Sequence, residues 1–171
     1  EPVAEAVAGL APDLVACCRW IRLEKNVGAG GARNAAAAEA CGELLALTDV
    51  DCLPEANWLE QLWKAHAVHP KAMLGGRIYN AVPEYIGAEA SQVIADIVYA
   101  WYNSDPLRSR FFSTNNVAVP REQFIEVGCF HQAFKGARED RDLCDRWRYA
   151  GLPMVFVPEA RLGHAHRLTV R

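Results

Sequence analysis

Two carboxylates stand one residue apart in Asp49-Val50-Asp51, directly after the apolar run Leu44-Leu45-Ala46-Leu47-Thr48. Residues two apart in an extended segment point the same way, so both carboxylates project together. Like charges that close repel unless a cation joins them. The apolar run reads as a strand buried on both faces, and the carboxyl edge of such strands is where open α/β sheets bind ligands. A divalent ion, Mg2+ or Mn2+, held by Asp51 and Asp49 and completed by substrate phosphates fits that chemistry. The competing reading is an ordinary turn after a strand, where Asp is common.

Other segments carry groups suited to the same work. Gly28-Ala29-Gly30-Gly31-Ala32-Arg33 reads as a glycine-rich turn entering a helix. Glycines let a ligand approach the backbone, the helix start offers free N–H groups to an anion, and Arg33 adds a two-point contact. A dinucleotide fingerprint is the weaker alternative, because the sixth position is Arg33 and no acidic ribose ligand follows. At the start of a later helix, Asp140 lies three, four and seven residues before Leu143, Cys144 and Trp147, on the inward face. An inward carboxylate there is kept ionised by the helix dipole, as a general base requires. Glu139, Asp142 and Arg146 fall on the other side, where capping and surface pairing explain them equally.

His164 and His166 alternate in Gly163-His164-Ala165-His166, and one of them could complete a cation site with Asp51. His164 is the candidate ligand, and His166 is read as a surface or packing residue. His66 lies on an apolar helix stripe and is read as structural. His69 suits a helix carboxyl end, and His131 has no assigned role. The amides of Asn115 and Asn116 either orient a polyol substrate or close a turn.

Around these groups, strand and helix signals alternate. A helix ends within Val3–Leu10, a strand lies within Val15–Leu23, and Ala32–Cys41 is helical until Gly42. Pro54 takes the first position of a helix carrying Trp58, Leu59, Leu62, Trp63 and His66. Met73–Tyr79 is a strand, Glu84–Tyr102 a helix, and Asn103–Arg110 a polar loop. Phe111–Val119 is extended, and Arg121–Val127 and Glu139–Ala150 are helices ended by glycines. Met154–Val157 is a strand stopped by Pro158. The alternation predicts one α/β domain over residues 1–171 with a mostly parallel sheet flanked by helices.

The 171 residues are 51% apolar and 23% charged, as in a globular domain. A formal net charge of -3 excludes a global basic field for nucleic acid. No apolar run reaches membrane-spanning length. The six cysteines form no C-x-x-C pair and read as reduced residues of a cytoplasmic protein. Glu1-Pro2-Val3-Ala4 lacks an initiator Met and a signal pattern, and reads as a cut or processed end.

In order, these motifs resemble family 2 glycosyltransferases with the GT-A fold. The matching stretches are Asn26-Val27-Gly28 with Ala32-Arg33-Asn34; Leu47-Thr48-Asp49-Val50-Asp51; Gly75-Gly76-Arg77-Ile78; Asn115-Asn116-Val117-Ala118-Val119; and Gly128-Cys129-Phe130. Glu139-Asp140 with Arg146 and Gly151, then Val157-Pro158-Glu159-Ala160 with His164, complete the series. The resemblance implies inverting transfer of a sugar from a nucleotide-diphosphate sugar to a saccharide or lipid-linked acceptor. It makes Asp140 the catalytic base, puts Asp51, Asp49 and His164 at the metal, and puts Arg33, Asn34, Asp49, Glu139 and Asn115 on substrate. It also implies first strands that nothing before Val15 supplies, and Cys129 where the pattern has a second Gly. The expected location is the cytoplasm or the inner membrane face. Two alternatives stay open: a metal-dependent nucleotidyl or phosphoryl transferase, and a non-catalytic sugar-nucleotide-binding domain.

Overall fold

The computed structural model describes residues 16–134 and 137–166. The helix expected in Val3–Leu10, the start of the strand expected from Val15, and Gly136 lie outside them. The described elements are α1 (Gly28–Glu39), β1 (Leu44–Thr48), β2 (Cys52–Pro54), α2 (Trp58–Val68), β3 (Met73–Asn80) and α3 (Ile86–Tyr102). A 3-10 turn (Pro106–Arg108), β4 (Asn116–Pro120), α4 (Arg121–Glu126), α5 (Glu139–Tyr149) and β5 (Met154–His164) follow. The strands form one sheet in the order β1-β4-β3-β5-β2.

The fold is α/β as expected, but the sheet is mixed. Among the described residues only β3 and β5 pair in parallel; β4 runs against both β1 and β3, and β2 runs against β5. The reason is the chain's route. A tight turn, closed by Cys52 N–H donating to the Asp49 carbonyl, reverses the chain after β1, so β2 is antiparallel without a crossover helix. β4 enters between β1 and β3 from the opposite end.

This arrangement gathers several strand ends at one edge. Thr48 pairs with Asn116, Cys52 with His164, and Asn80 also with His164. Asp51 is drawn in by its backbone, because the Ala165 N–H donates to the Asp51 carbonyl at 2.8 Å.

β5 does not stop at Pro158. It passes through a bulge, in which Gly76 pairs with Val157 and Arg77 with Arg161. A bulge is one of the few places where proline fits inside a sheet. Asn116, fully buried, holds the bulge together. Its Nδ2 donates to the carbonyls of Arg77 and Ala160, both at 3.0 Å, and its Oδ1 accepts from Trp58 Nε1 at 2.8 Å. The backbone at Gly76 lies so close to Asn116 and the Ala160 carbonyl that a Cβ would collide with both.

Other boundaries shift for local reasons. Gly28–Gly31 is the first turn of α1 rather than a loop before it, and Gly30 lets that turn approach the Cβ atoms of Phe130 and Glu139. Pro54 ends β2, and α2 begins only at Trp58. Residues 18–23 form no strand; Trp20, Ile21 and Leu23 are exposed, with no described strand beside them. β1 is only partly buried over most of its length. His66 is buried on α2, and no disulfide joins the described cysteines. Among the described residues no helix is long and apolar enough to cross a membrane.

Replacing Asn116 with Ala leaves the Trp58 indole N–H and two backbone carbonyls without their partner. Asn116→Ala is therefore expected to cost about 3 kcal/mol of unfolding free energy. Urea denaturation followed by tryptophan fluorescence checks this, and a loss within error of zero would show that the bulge holds itself.

Candidate active site

The edge where β1, β3, β4 and β5 converge carries most of the residues picked out in the sequence. Asp51 projects from the β1–β2 turn and meets the end of β5. Its Oδ2 lies 3.3 Å from His164 Nε2 and 3.7 Å from His166 Nδ1. The two imidazoles stack with centroids 5.3 Å apart. One oxygen and two ring nitrogens thus lie within 4.8 Å of one another. His166 was read from sequence as a surface residue. The signal that could have found it was its alternation with His164, since extension past β5 keeps both rings on one side.

Asp49 goes elsewhere. Its Oδ1 is 2.6 Å from the Arg33 guanidinium, whose other terminal nitrogen is 3.2 Å from Glu139 Oε1. The repulsion expected within Asp49-Val50-Asp51 is relieved by dividing the pair. Arg33 compensates Asp49, and the histidines take Asp51. Asp49 therefore stands outside the group formed by Asp51, His164 and His166. Arg33 is mostly buried between the two carboxylates and also faces the Phe130 ring at 5.8 Å. One cation ties the helix α1, the β1 turn and the start of α5 into a single charged network.

Asn34, expected to contact substrate, uses its amide within the protein. Nδ2 donates to the Phe130 carbonyl at 2.8 Å, and Oδ1 accepts from the Phe130 N–H at 2.9 Å. That two-point clamp fixes the turn before α5 against α1. Arg146 secures the same turn from below, pairing with Asp142 and donating to the carbonyls of Val127 and Cys129. Sequence reasoning saw the Asp142–Arg146 pair but not these backbone contacts, because their partners are 19 and 17 residues away in an irregular segment.

Asp140 sits in the first turn of α5, beside Glu139. Its Oδ1 accepts from the Arg141 N–H at 2.7 Å. Burial pushes its carboxyl above the usual carboxylate range, against the lowering effect of that hydrogen bond, and the charge of Glu139 adds to the rise. Burial thus works against the ionised form that a helix start favours.

Asp140 also bears on Tyr99 of α3, whose phenol is pushed up chiefly by burial and further by the nearby Asp140 and Cys144. The Tyr99 oxygen accepts from the Ser113 N–H at 2.8 Å. Tyr99, Ser113, Asn115, Gln92, His164 and His166 are among the walls of a cavity of about 180 Å³. Asn115 Oδ1 is buried there without a hydrogen-bond partner among the described residues. The cavity thus joins the imidazole pair to the phenol that senses Asp140. A larger cavity of about 690 Å³, bordered by Phe134, Arg138, Arg141 and Tyr149, contains neither the Asp49–Asp51 turn nor the histidines.

The chain is similar to known proteins over most of its length. The profile of glycosyl transferase family 2 matches residues 4–140. The inactive polypeptide N-acetylgalactosaminyltransferase-like protein 5 of Macaca fascicularis is 26% identical over 170 residues, covering 88% of this chain and 38% of that protein. Among solved structures, GalNAc-T7 with UDP, GalNAc and Mn2+ superposes with a TM-score of 0.66 at 19% identity, over 86% of this chain and 32% of that one. The mannosyltransferase PcManGT from Pyrobaculum calidifontis, in complex with GDP-Man and Mn2+, gives 0.65 at 18% identity, over 88% and 39%. The two structures share the fold, and the chain spans about two fifths or less of the length of each of these three proteins.

The raised pKa of Asp140 has a signed consequence for stability. Below about pH 3.9, the ordinary Asp value, the carboxyl is neutral whether folded or unfolded. As pH rises through its higher folded value, ionisation favours the unfolded chain, and stability is lost. Asp140→Asn is expected to gain stability relative to the parent between about pH 3.5 and pH 7. Urea melts at the two pH values test this; a difference that does not change with pH would remove burial as the dominant effect.

Proposed function

Because this chain belongs to glycosyl transferase family 2, we propose that it binds a nucleotide-diphosphate sugar at the carboxyl edge of β1. It passes the sugar to an acceptor hydroxyl with inversion at the anomeric carbon. The observation that carries this reading is the convergence of Asp51, His164 and His166 on one point, beside the network centred on Arg33.

The donor set suits a divalent cation. Two imidazole nitrogens and one carboxylate oxygen are ligands that Mn2+ accepts, and the family likeness supports the choice. The solved relatives named above were crystallised with that ion. Asp51, His164 and His166 would hold it, and when bound it would supply the positive charge that stabilises a departing diphosphate.

The chain's own residues do the rest. Arg33 holds the carboxylates of Asp49 and Glu139 in fixed positions, so they present oriented acceptors to donor hydroxyls. Asn115, with a buried carbonyl oxygen still free, is placed to accept a hydrogen bond from a substrate hydroxyl in the cavity it lines. Asp140 takes the proton of the attacking acceptor hydroxyl. A carboxyl raised above its ordinary range by burial is a stronger base once ionised, which suits this role. Tyr99, kept as a neutral phenol by burial, supports the wall between base and cavity. The acceptor is a saccharide or a lipid-linked hydroxyl, and cysteines that form no disulfide suit action in the cytoplasm or at the inner membrane face.

A second reading is favoured by one observation: the curated relative is named as inactive. On that reading the chain binds a sugar nucleotide without transferring the sugar.

Two measurements test the proposal. Addition of Mn2+ is expected to raise the melting temperature of the chain, and His166→Ala to weaken that ion's binding about tenfold or more. Equal Mn2+ affinity in His166→Ala would remove His166 from the site. Asp140→Asn is expected to keep donor binding and to lower transfer by ~10²–10⁴-fold. Transfer unchanged in that variant would refute the base assignment; donor binding without any transfer in the parent would favour the second reading.

A further inference from the structure

The helix α3 is amphipathic in the unexpected sense. Its polar side chains serve the protein: Gln92 donates to the Ile78 carbonyl at 3.1 Å and to Asp96 at 2.8 Å, and Glu89 accepts from Asn80 at 2.9 Å. The large aliphatic side chains point away. Ile86 is 82% exposed, Val93 55%, Ile94 64%, Ile97 65% and Trp101 69%. Ala90 and Ala100 lie between them and are exposed too. At 100° per residue these seven side chains occupy one stripe about 120° wide, with no charge on it.

We infer that α3 packs antiparallel against α3 of a second copy of this chain, about a two-fold axis passing between Val93 and Ile94. Three features support that occupant. A two-fold contact demands a self-complementary surface, and six of the seven stripe positions are symmetric about its middle. Ile86 and Trp101 are equidistant from the axis, as are Ala90 and Ile97, and Val93 and Ile94. Their order therefore sets the aromatic ring over the terminal isoleucine, and the small Ala90 opposite the larger Ile97.

The area is adequate. Five large side chains this exposed offer on the order of 600 Å², the top of what a monomer leaves bare, and two such faces together clear the ~1,000 Å² expected of a specific interface. The charge pattern points the same way. Helices that lie on bilayers carry Lys and Arg beside the apolar face. α3, IGAEASQVIADIVYAWY, carries neither.

Glu89 and Asp96 lie on one flank of the stripe, and antiparallel pairing brings that flank against its counterpart. Like charges at the rim mean that added salt strengthens this association by screening, the reverse of a charge-held interface.

Sedimentation equilibrium of the 171-residue chain tests the inference. The expected result is reversible dimerisation of the 18.9 kDa chain, tighter at high salt than at low. Ile94→Glu combined with Ile97→Glu should give a monomer with an unchanged circular dichroism spectrum, since both side chains are exposed. Ile86→Lys and Trp101→Glu should each raise the dissociation constant by about tenfold. Combined in one chain they should recover much of that loss, because the two positions oppose each other only in the antiparallel arrangement. A parent chain that stays monomeric at every concentration overturns the inference, whether or not it sediments with phosphatidylcholine vesicles. A combined variant no tighter than its weaker parent overturns the proposed register.

Discussion

One guanidinium holds the site's electrostatics together. Arg33 lies between Asp49, sixteen residues away, and Glu139, more than a hundred away. Without a cation there, two carboxylates from different parts of the chain would face each other across a poorly hydrated gap, and the start of α5 could not settle against the β1 turn. Arginine suits this task better than lysine, because its planar fork serves two carboxylates at once and stays charged under all relevant conditions. The contact is partly shielded from water, where an ion pair's attraction is set against the cost of desolvating it. Its value is therefore geometric more than energetic. It sets the distance between α1, β1 and α5, and the orientation of everything attached to them.

The second constraint is the bulge in β5. A strand ending at Pro158 would leave His164 and His166 in an unpaired tail, with no reason to meet Asp51. The buried amide of Asn116 satisfies carbonyls on both sides of the irregularity, so the ladder resumes at Arg161 and runs on to His164. Asn116 and its neighbour Asn115 thus divide their work. The first turns inward and spends all its hydrogen bonds on the fold, while the second faces the cavity with an acceptor to spare. Asn115 lies in the turn that leads into β4 and Asn116 opens the strand, so one dipeptide can serve structure and ligand together.

These relations explain what could be read from the sequence. β1, α3, α4 and α5 were legible because each is a short periodic or apolar segment with its own stop signal. The grouping of Asp51 with His164 was legible because strand edges concentrate such residues. The antiparallel pairs were not, since alternation of strand and helix types does not reveal the direction in which a strand enters the sheet. Pro158 was misleading: proline normally ends a strand, and only the distant Asn116 makes the exception possible. The roles of Asn34 and Arg146 were hidden for the same reason, because each binds backbone atoms of an irregular turn, which carry no residue signature. The division of Asp49 from Asp51 depends on Arg33 reaching back from α1, a contact that spacing within Asp49-Val50-Asp51 cannot express.

That division bears on how an acidic pair should be read. Two carboxylates at alternate positions after a strand suggest a shared ion, since a shared ion is the simplest relief of their repulsion. Here the relief for Asp49 is supplied by the protein itself, through the internal cation of Arg33, while Asp51 turns away toward two imidazoles. Pairing Asp49 with Arg33 leaves it oriented by the protein itself. Asp51 instead lies against two imidazoles, whose nitrogens face its Oδ2. The same two residues therefore acquire different chemistry from what surrounds them. The surroundings differ because β1 ends beside a helix that carries arginine, while the next turn ends beside a strand that carries histidine.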